Sequence, residues 1–182
     1  TVLGDIVHSS PVLVGAPRSN WPNTAPFPTG TDSYETWAAT QVNRREAVYA
    51  GSNDGRLHGI WADVGNLTSG QEFMGYIPNA VLDATFGEGL HALTLQNYQH
   101  RYYVDLTPAV SDAYIRTGPS TPLRWRTILV GGLRGGGPGL YALDITDPNS
   151  MRESDADDYV LWELTSDDDP DLGATFSEPT IA

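Results

Sequence analysis

Four histidines, a run of aspartates, a glycine-rich loop and several tryptophans are the residues of this chain whose types can do chemistry. Asp155, Asp157 and Asp158, followed by Asp167, Asp168, Asp169 and Asp171, form the densest acidic stretch, and alternating carboxylates on a turn suit calcium. The stretch lacks the D-x-[DN]-x-[DN]-G pattern with a distal Glu, and Pro170 stiffens its turn. It is read as a solvated loop between strands. His8, His58, His91 and His100 are too scattered for a zinc set, with no H-x-x-x-H or H-E-x-x-H spacing among them. His58 is expected on an inner strand, hydrogen-bonding between neighbouring repeats. His8 beside Ser9 and Ser10 suggests a nucleophile with its base, but adjacent strand residues face opposite sides and Asp5 lies elsewhere in the repeat.

The loop Gly131-Gly132-Leu133-Arg134-Gly135-Gly136-Gly137-Pro138-Gly139 invites a phosphate-cradling reading. A P-loop opens a helix and carries Lys-Ser or Lys-Thr, and this loop has neither, so its glycines are assigned to positive φ and close backbone approach. Trp61, Trp125 and Trp162, with Tyr141, fall at strand positions and are expected to pack between repeats. Trp21, Phe27 and Trp37 lie in a polar segment and are the first place to seek a ligand or partner surface. No catalytic, cofactor-binding or metal-ligating residue is assigned.

Composition narrows the function classes further. Among 182 residues, 23 acidic side chains against 10 basic ones give a formal net charge of -13, which disfavours nucleic acid. Every basic residue is arginine, so a P-loop or Schiff-base lysine is excluded here, and with no cysteine there are no disulfides, zinc thiolates or cysteine nucleophiles. No run approaches the length of a membrane-spanning helix, so membrane insertion is not expected. The opening Thr1-Val2-Leu3-Gly4 suggests a piece of a longer precursor.

The elements that must position these residues read as short strands: Ile6 to Val14, Ala47 to Ala50, Leu57 to Trp61, Gln71 to Tyr76, Tyr102 to Val104, Thr127 to Val130, Leu140 to Leu143 and Tyr159 to Leu164. Asp54-Gly55 marks a hairpin in which both central positions take positive φ. Val48-Tyr49-Ala50-Gly51 with Leu57-His58-Gly59-Ile60-Trp61 parallels Ile128-Leu129-Val130-Gly131 with Leu140-Tyr141-Ala142-Leu143-Asp144, about 80 residues on. Proline-led strands recur at Ser9-Ser10-Pro11-Val12, Leu106-Thr107-Pro108-Ala109 and Ser177-Glu178-Pro179-Thr180. Four antiparallel strands per unit make a propeller blade. The expected fold is all-β, a partial β-propeller of two four-stranded blades and the start of a third. One domain, 1–182, divides into repeats at about 1–99, 100–172 and 173–182. Residues 19–45 and 78–99 read as insertions, the second with one or two short helices. Open propeller edges predict self-association, dimers or aggregates, of the isolated segment.

The blocks Gly4-Asp5-Ile6-Val7-His8-Ser9-Ser10-Pro11, Gly51-Ser52-Asn53-Asp54-Gly55-Arg56-Leu57-His58, Tyr76-Ile77-Pro78-Asn79-Ala80 and Asp171-Leu172-Gly173-Ala174-Thr175-Phe176-Ser177-Glu178-Pro179 come in an order that resembles the C-terminal propeller of the PilY1-type pilus proteins. Trp125-Arg126-Thr127-Ile128-Leu129-Val130 and Tyr141-Ala142-Leu143-Asp144-Ile145-Thr146-Asp147-Pro148 extend the resemblance nearly end to end. It implies a non-enzymatic module in type IV pilus assembly, twitching motility and adhesion, at the periplasm, outer surface or pilus tip of a Gram-negative bacterium. Minor pilins and host or surface ligands are the implied partners. The family's calcium loop is expected beyond Ala182, in the full-length parent, with no cofactor in this segment. The alternative is a fragment of a quinoprotein dehydrogenase propeller holding pyrroloquinoline quinone, whose blades share the pattern.

Overall fold

The computed structural model describes residues 3–83 and 85–181. Strands β1 (Val12–Val14), β2 (Ala47–Gly51), β3 (Leu57–Trp61) and β4 (Glu72–Tyr76) form one sheet in the order β1-β2-β3-β4. Strands β5 (Ala109–Ile115), β6 (Arg124–Gly132), β7 (Gly139–Asp144) and β8 (Val160–Thr165) form a second in the order β5-β6-β7-β8. Every pairing is antiparallel. Each sheet is thus a meander of four strands, one propeller blade. Helices are brief: α1 (Tyr34–Thr40), capped by the Ser33 side chain accepting from the Thr36 N–H, and α2 (Ala156–Tyr159).

The ladders superpose the two blades residue by residue. Gly51 pairs with Leu57 as Gly132 pairs with Leu140, and the register shifts once in each blade, between Gly59 and Ile60 and between Ala142 and Leu143. Gly51 therefore corresponds to Gly132, one residue beyond the Gly131 that sequence similarity suggests. Leu57 matches Leu140, His58 matches Tyr141, and Met74 matches Trp162.

Side chains alternate across a strand, so this correspondence assigns faces. Tyr49, Leu57, Met74 and Tyr76 lie on one face of the first blade and are all buried. Leu129, Tyr141 and Leu143 lie on the opposite kind of face in the second blade and join them in one hydrophobic cluster. Tyr76 and Tyr141 meet at a ring separation of 5.1 Å, and the Tyr76 hydroxyl donates to Glu163 across the seam. Successive blades stacked front to back in this way are the packing unit of a propeller.

Two expected strands are instead lead-in segments. In 3–11 the His8 N–H donates to Asp105 and the Ser10 N–H to Thr107, Asp5 accepts from the Asn53 N–H, and Pro11 has no N–H to give; ladder pairing starts only at Val12. Tyr102 to Val104 threads past the hairpin tip of the first blade, where the Tyr103 N–H donates to the Asn53 side chain at 3.1 Å. The turn at Asp54-Gly55 is also a longer loop than expected. Only Gly55 has positive φ, 89°, and Ser52 and Arg56 still bond across it, leaving three residues at the tip. The second insertion carries short 3-10 turns at Asn79–Val81 and Gly89–Thr94, where short helices are expected.

Candidate functional site

Three clusters gather the polar side chains that the sequence leaves scattered. The first lies where the lead-in segments cross the hairpin tips. Asp105 is almost fully buried, accepts from the His8 ring at 2.7 Å and faces Arg134 at 3.5 Å, while His100 reaches Asp5 at 2.9 Å. Arg134 takes positive φ, 52°, and its guanidinium lies over the Phe176 ring at 5.6 Å. The Leu133 and Arg134 N–H groups both donate to the Thr175 hydroxyl. Each hairpin tip therefore grips the lead-in of the following repeat, Asn53 holding Tyr103 and the second tip holding Thr175. Ser9 is committed to this scaffold through the Gly51 N–H at 2.9 Å. The glycines are set by approach: a Cβ on Gly136 would stand 2.0 Å from the Tyr103 carbonyl oxygen.

The second cluster corrects the expectation for His58. It sits on β3, flanked by β2 and β4, and in place of a bond to the neighbouring blade both its partners belong to its own blade. Its Nδ1 meets Glu72 at 2.6 Å and its Nε2 meets the Asp54 carboxylate at 3.1 Å, with the ring 1% exposed. Burial pulls the imidazole pKa down, but hydrogen bonds to Asp54 and Glu72 and their negative charges outweigh it, so the net shift is upward. Burial pushes the Asp54 carboxyl up, and the His58 bond and charge outweigh it to a net lowering.

The third cluster anchors the first insertion, which leaves the first blade and folds over the second. Asp112, buried on β5, accepts from the Tyr34 hydroxyl at 2.6 Å and from the Thr127 hydroxyl at 2.6 Å. Arg44 donates to Thr127 and, through Nε, to the Gly15 carbonyl at 2.7 Å. Burial, helped by the bond to Asp112, pushes the Tyr34 hydroxyl up to about 12. Above this network Trp21, Phe27, Tyr34 and Trp37 close around Trp125, whose Nε1 donates to the Asp32 carbonyl at 3.0 Å. Trp125 thus packs against the insertion. A groove of about 400 Å³ opens beside Trp37, Tyr114 and Arg124.

The remaining residues fall apart in space. Trp61 is buried, stacked on Phe73 at 4.1 Å with the Arg45 guanidinium over its ring. Trp162 is 45% exposed, on the face of the second blade that corresponds to the buried Met74 face of the first. The His91 Nδ1 accepts from the Gly87 N–H within its own turn. Among the acidic residues, Asp168 accepts from the Thr165 N–H and Asp169 from the Asp171 N–H, so both stabilise their own turn. Among the described residues no three His, Asp or Glu side chains converge as metal ligands. Asp105, Asp112 and Arg44 escape sequence reading because their partners lie far away in the chain, Asp105 meeting His8, Asp112 meeting Tyr34 and Arg44 meeting Thr127.

A family model for the PilY1 beta-propeller domain matches residues 3–182. The chain belongs to the PilY1 β-propeller family. A Xylella fastidiosa protein described as a type IV pilus biogenesis factor PilY1 homolog is 42% identical over 181 residues, covering 100% of this chain and 13% of that protein. The type IV pilus biogenesis factor PilY1 of Pseudomonas aeruginosa strain PAO1 is 41% identical over 186 residues, covering 100% of this chain and 14% of its own length. The chain therefore spans about one seventh of these PilY1 relatives. The crystal structure of the P. aeruginosa PilY1 C-terminal domain aligns with a TM-score of 0.58 at 37% identity, over 82% of this chain and 24% of that one.

Proposed function

We propose that this chain supplies two successive blades of a non-enzymatic propeller that acts in type IV pilus assembly, and through it in twitching motility and adhesion. The observation that carries the reading is the match along residues 3–182 to a family whose described relatives are pilus biogenesis factors. The side-chain clusters support it, since their histidines, carboxylates and Ser9 are tied into the scaffold, within a blade for His58 and Ser9 and between repeats for His8 and Asp105. In this reading the parent protein works in the cell envelope and at the pilus tip, its partners are minor pilins and surface ligands, and calcium belongs to the parent outside these residues. Exposed β1, β4, β5 and β8 edges favour self-association of the isolated segment. Light scattering over a wide concentration range tests that; a stable monomer rejects it.

The role itself is tested in the full-length parent by Tyr76→Ala together with Glu163→Ala, which removes the polar clamp across the blade seam. Surface pili and twitching zones are expected to fall while immunoblots still detect the protein. Normal piliation with a soluble, seam-disrupted variant would mean that these blades do not serve assembly.

A further inference from the structure

We propose that Asn66 is a glycosylation site, its carboxamide nitrogen accepting a sugar from a glycosyl pyrophosphate donor. Asn66-Leu67-Thr68 is the one Asn-x-Ser/Thr triplet in the sequence, a spacing that sets a hydroxyl beside an asparagine side chain. It lies in the loop joining β3 to β4, at the end of the first blade away from the Asp54-Gly55 tip, since β3 runs from that tip to Trp61. Val64, Gly65, Asn66 and Leu67 are all exposed there, Val64 at 97% and Leu67 at 99%. No other large hydrophobic side chain among the described residues is as open. Two bare aliphatics flanking the acceptor are surface that an attached glycan would cover.

The loop presents the acceptor in a fixed shape. The Asn66 Oδ1 accepts from the Thr68 N–H at 3.1 Å and from the Thr68 hydroxyl at 3.0 Å. The N–H contact alone makes a turn; the hydroxyl contact is the part that only Ser or Thr two residues on can add. That hydroxyl in turn accepts from the Arg45 Nη2 at 2.6 Å, and Arg45 is itself held by both Asp63 oxygens and by the Trp61 ring. Two donors on Oδ1 draw electron density toward the oxygen and make the Nδ2 protons more acidic, which helps an amide, a poor nucleophile, to react. In the transfer the bond from Nδ2 to the sugar C1 forms and the bond from C1 to the pyrophosphate oxygen breaks. The pyrophosphate leaves with the electron pair, one Nδ2 proton passes to a base of the transferring enzyme, and nothing is oxidised or reduced. The inference is independent of the pilus role.

The test is peptide mapping by mass spectrometry of the full-length parent purified from the cells that make it, with fragmentation that locates the modified side chain in the tryptic peptide 57–101. A mass increase of one or more hexose or N-acetylhexosamine units on Asn66 is expected. It should vanish in Asn66→Gln and in Thr68→Ala and persist in Thr68→Ser, which keeps the hydroxyl and so separates loss of the sugar from damage to the loop. Retaining the parent in the cytoplasm distinguishes the two sources of the donor. Sugar still added there means a nucleotide-linked donor, sugar lost means a lipid-linked donor met at the envelope, and either agrees with the site. An unmodified Asn66 in the purified parent, a sugar indifferent to Thr68→Ala, or one attached to Thr68 or Ser69 instead overturns the proposal.

Discussion

Tyr141 and His58 occupy the same ladder position in successive blades, and the two blades bury that position by opposite means. Tyr141 is fully buried against the first blade beside Tyr76, with its hydroxyl unpartnered among the described residues. Burial, with the nearby Glu163 charge, pushes that hydroxyl well above its ordinary pKa. His58 is equally hidden but lies on the face away from the second blade, beside Leu3 and Ile60, and is satisfied by two carboxylates of its own sheet. The backbone repeat thus fixes where a side chain points, while the neighbour across the face determines whether it is apolar or ionic.

The comparison breaks first at the seam. Tyr141→Ala should cost about 3–5 kcal/mol in chemical denaturation, because it opens a cavity lined by both blades. Met74→Ala, on the buried face of the first blade, should cost about 2–4 kcal/mol by the same measurement. A smaller loss, about 1–2 kcal/mol, is expected for Glu72→Gln, which removes one charged partner from a buried imidazole while Glu72 itself keeps solvent contact.

That variant also sharpens the pH contrast. The folded-state pKa of His58 is raised above its ordinary 6.5, so its contribution is fully present below pH 6.5 and is lost as pH rises through the folded value. Thermal stability of the parent sequence should therefore fall over that rise, and Glu72→Gln should flatten the profile. A profile that instead rises with pH through 6.5 would show that the imidazole is neutral in the folded state, and an unchanged slope in Glu72→Gln would show that Glu72 does not hold its proton. Smallest of all, Trp162→Ala should change stability of this segment by no more than about 0.5 kcal/mol, although Trp162 stands where Met74 stands. A loss comparable to that of Met74→Ala would mean that self-association covers the Trp162 face.

Much of this plan is legible in the chain. Leu57 to Trp61 is a strand with the ends expected, and β2, β4, β6, β7 and β8 fall within a few residues of their expected bounds, because alternating apolar residues between turn formers carry a local signal. Ile6 to Val14 misleads for a physical reason: its apolar residues serve a lead-in whose N–H groups go to Asp105 and Thr107, about a hundred residues away. Nothing local announces such partners. The clusters around Asp105 and Asp112 are hidden in the same way, since single acids in separate repeats become a site only once the blades stack. Trp21, Phe27 and Trp37 stood out because large aromatics are out of place in a Pro- and Thr-rich stretch, yet their target, Trp125, lies in another blade.

The first insertion also imposes an order of events on a chain emerging from one end. Its anchor points, Asp112, Trp125 and Thr127, are made roughly eighty to a hundred residues after the side chains they hold, as the spacings from Tyr34 to Asp112, Trp21 to Trp125 and Arg44 to Thr127 show. Until they appear, five aromatic or arginine side chains of that segment have nowhere to settle, and slow non-local closure leaves them open to chaperones or to one another. The first blade can pair its strands early; it can be finished only by the second.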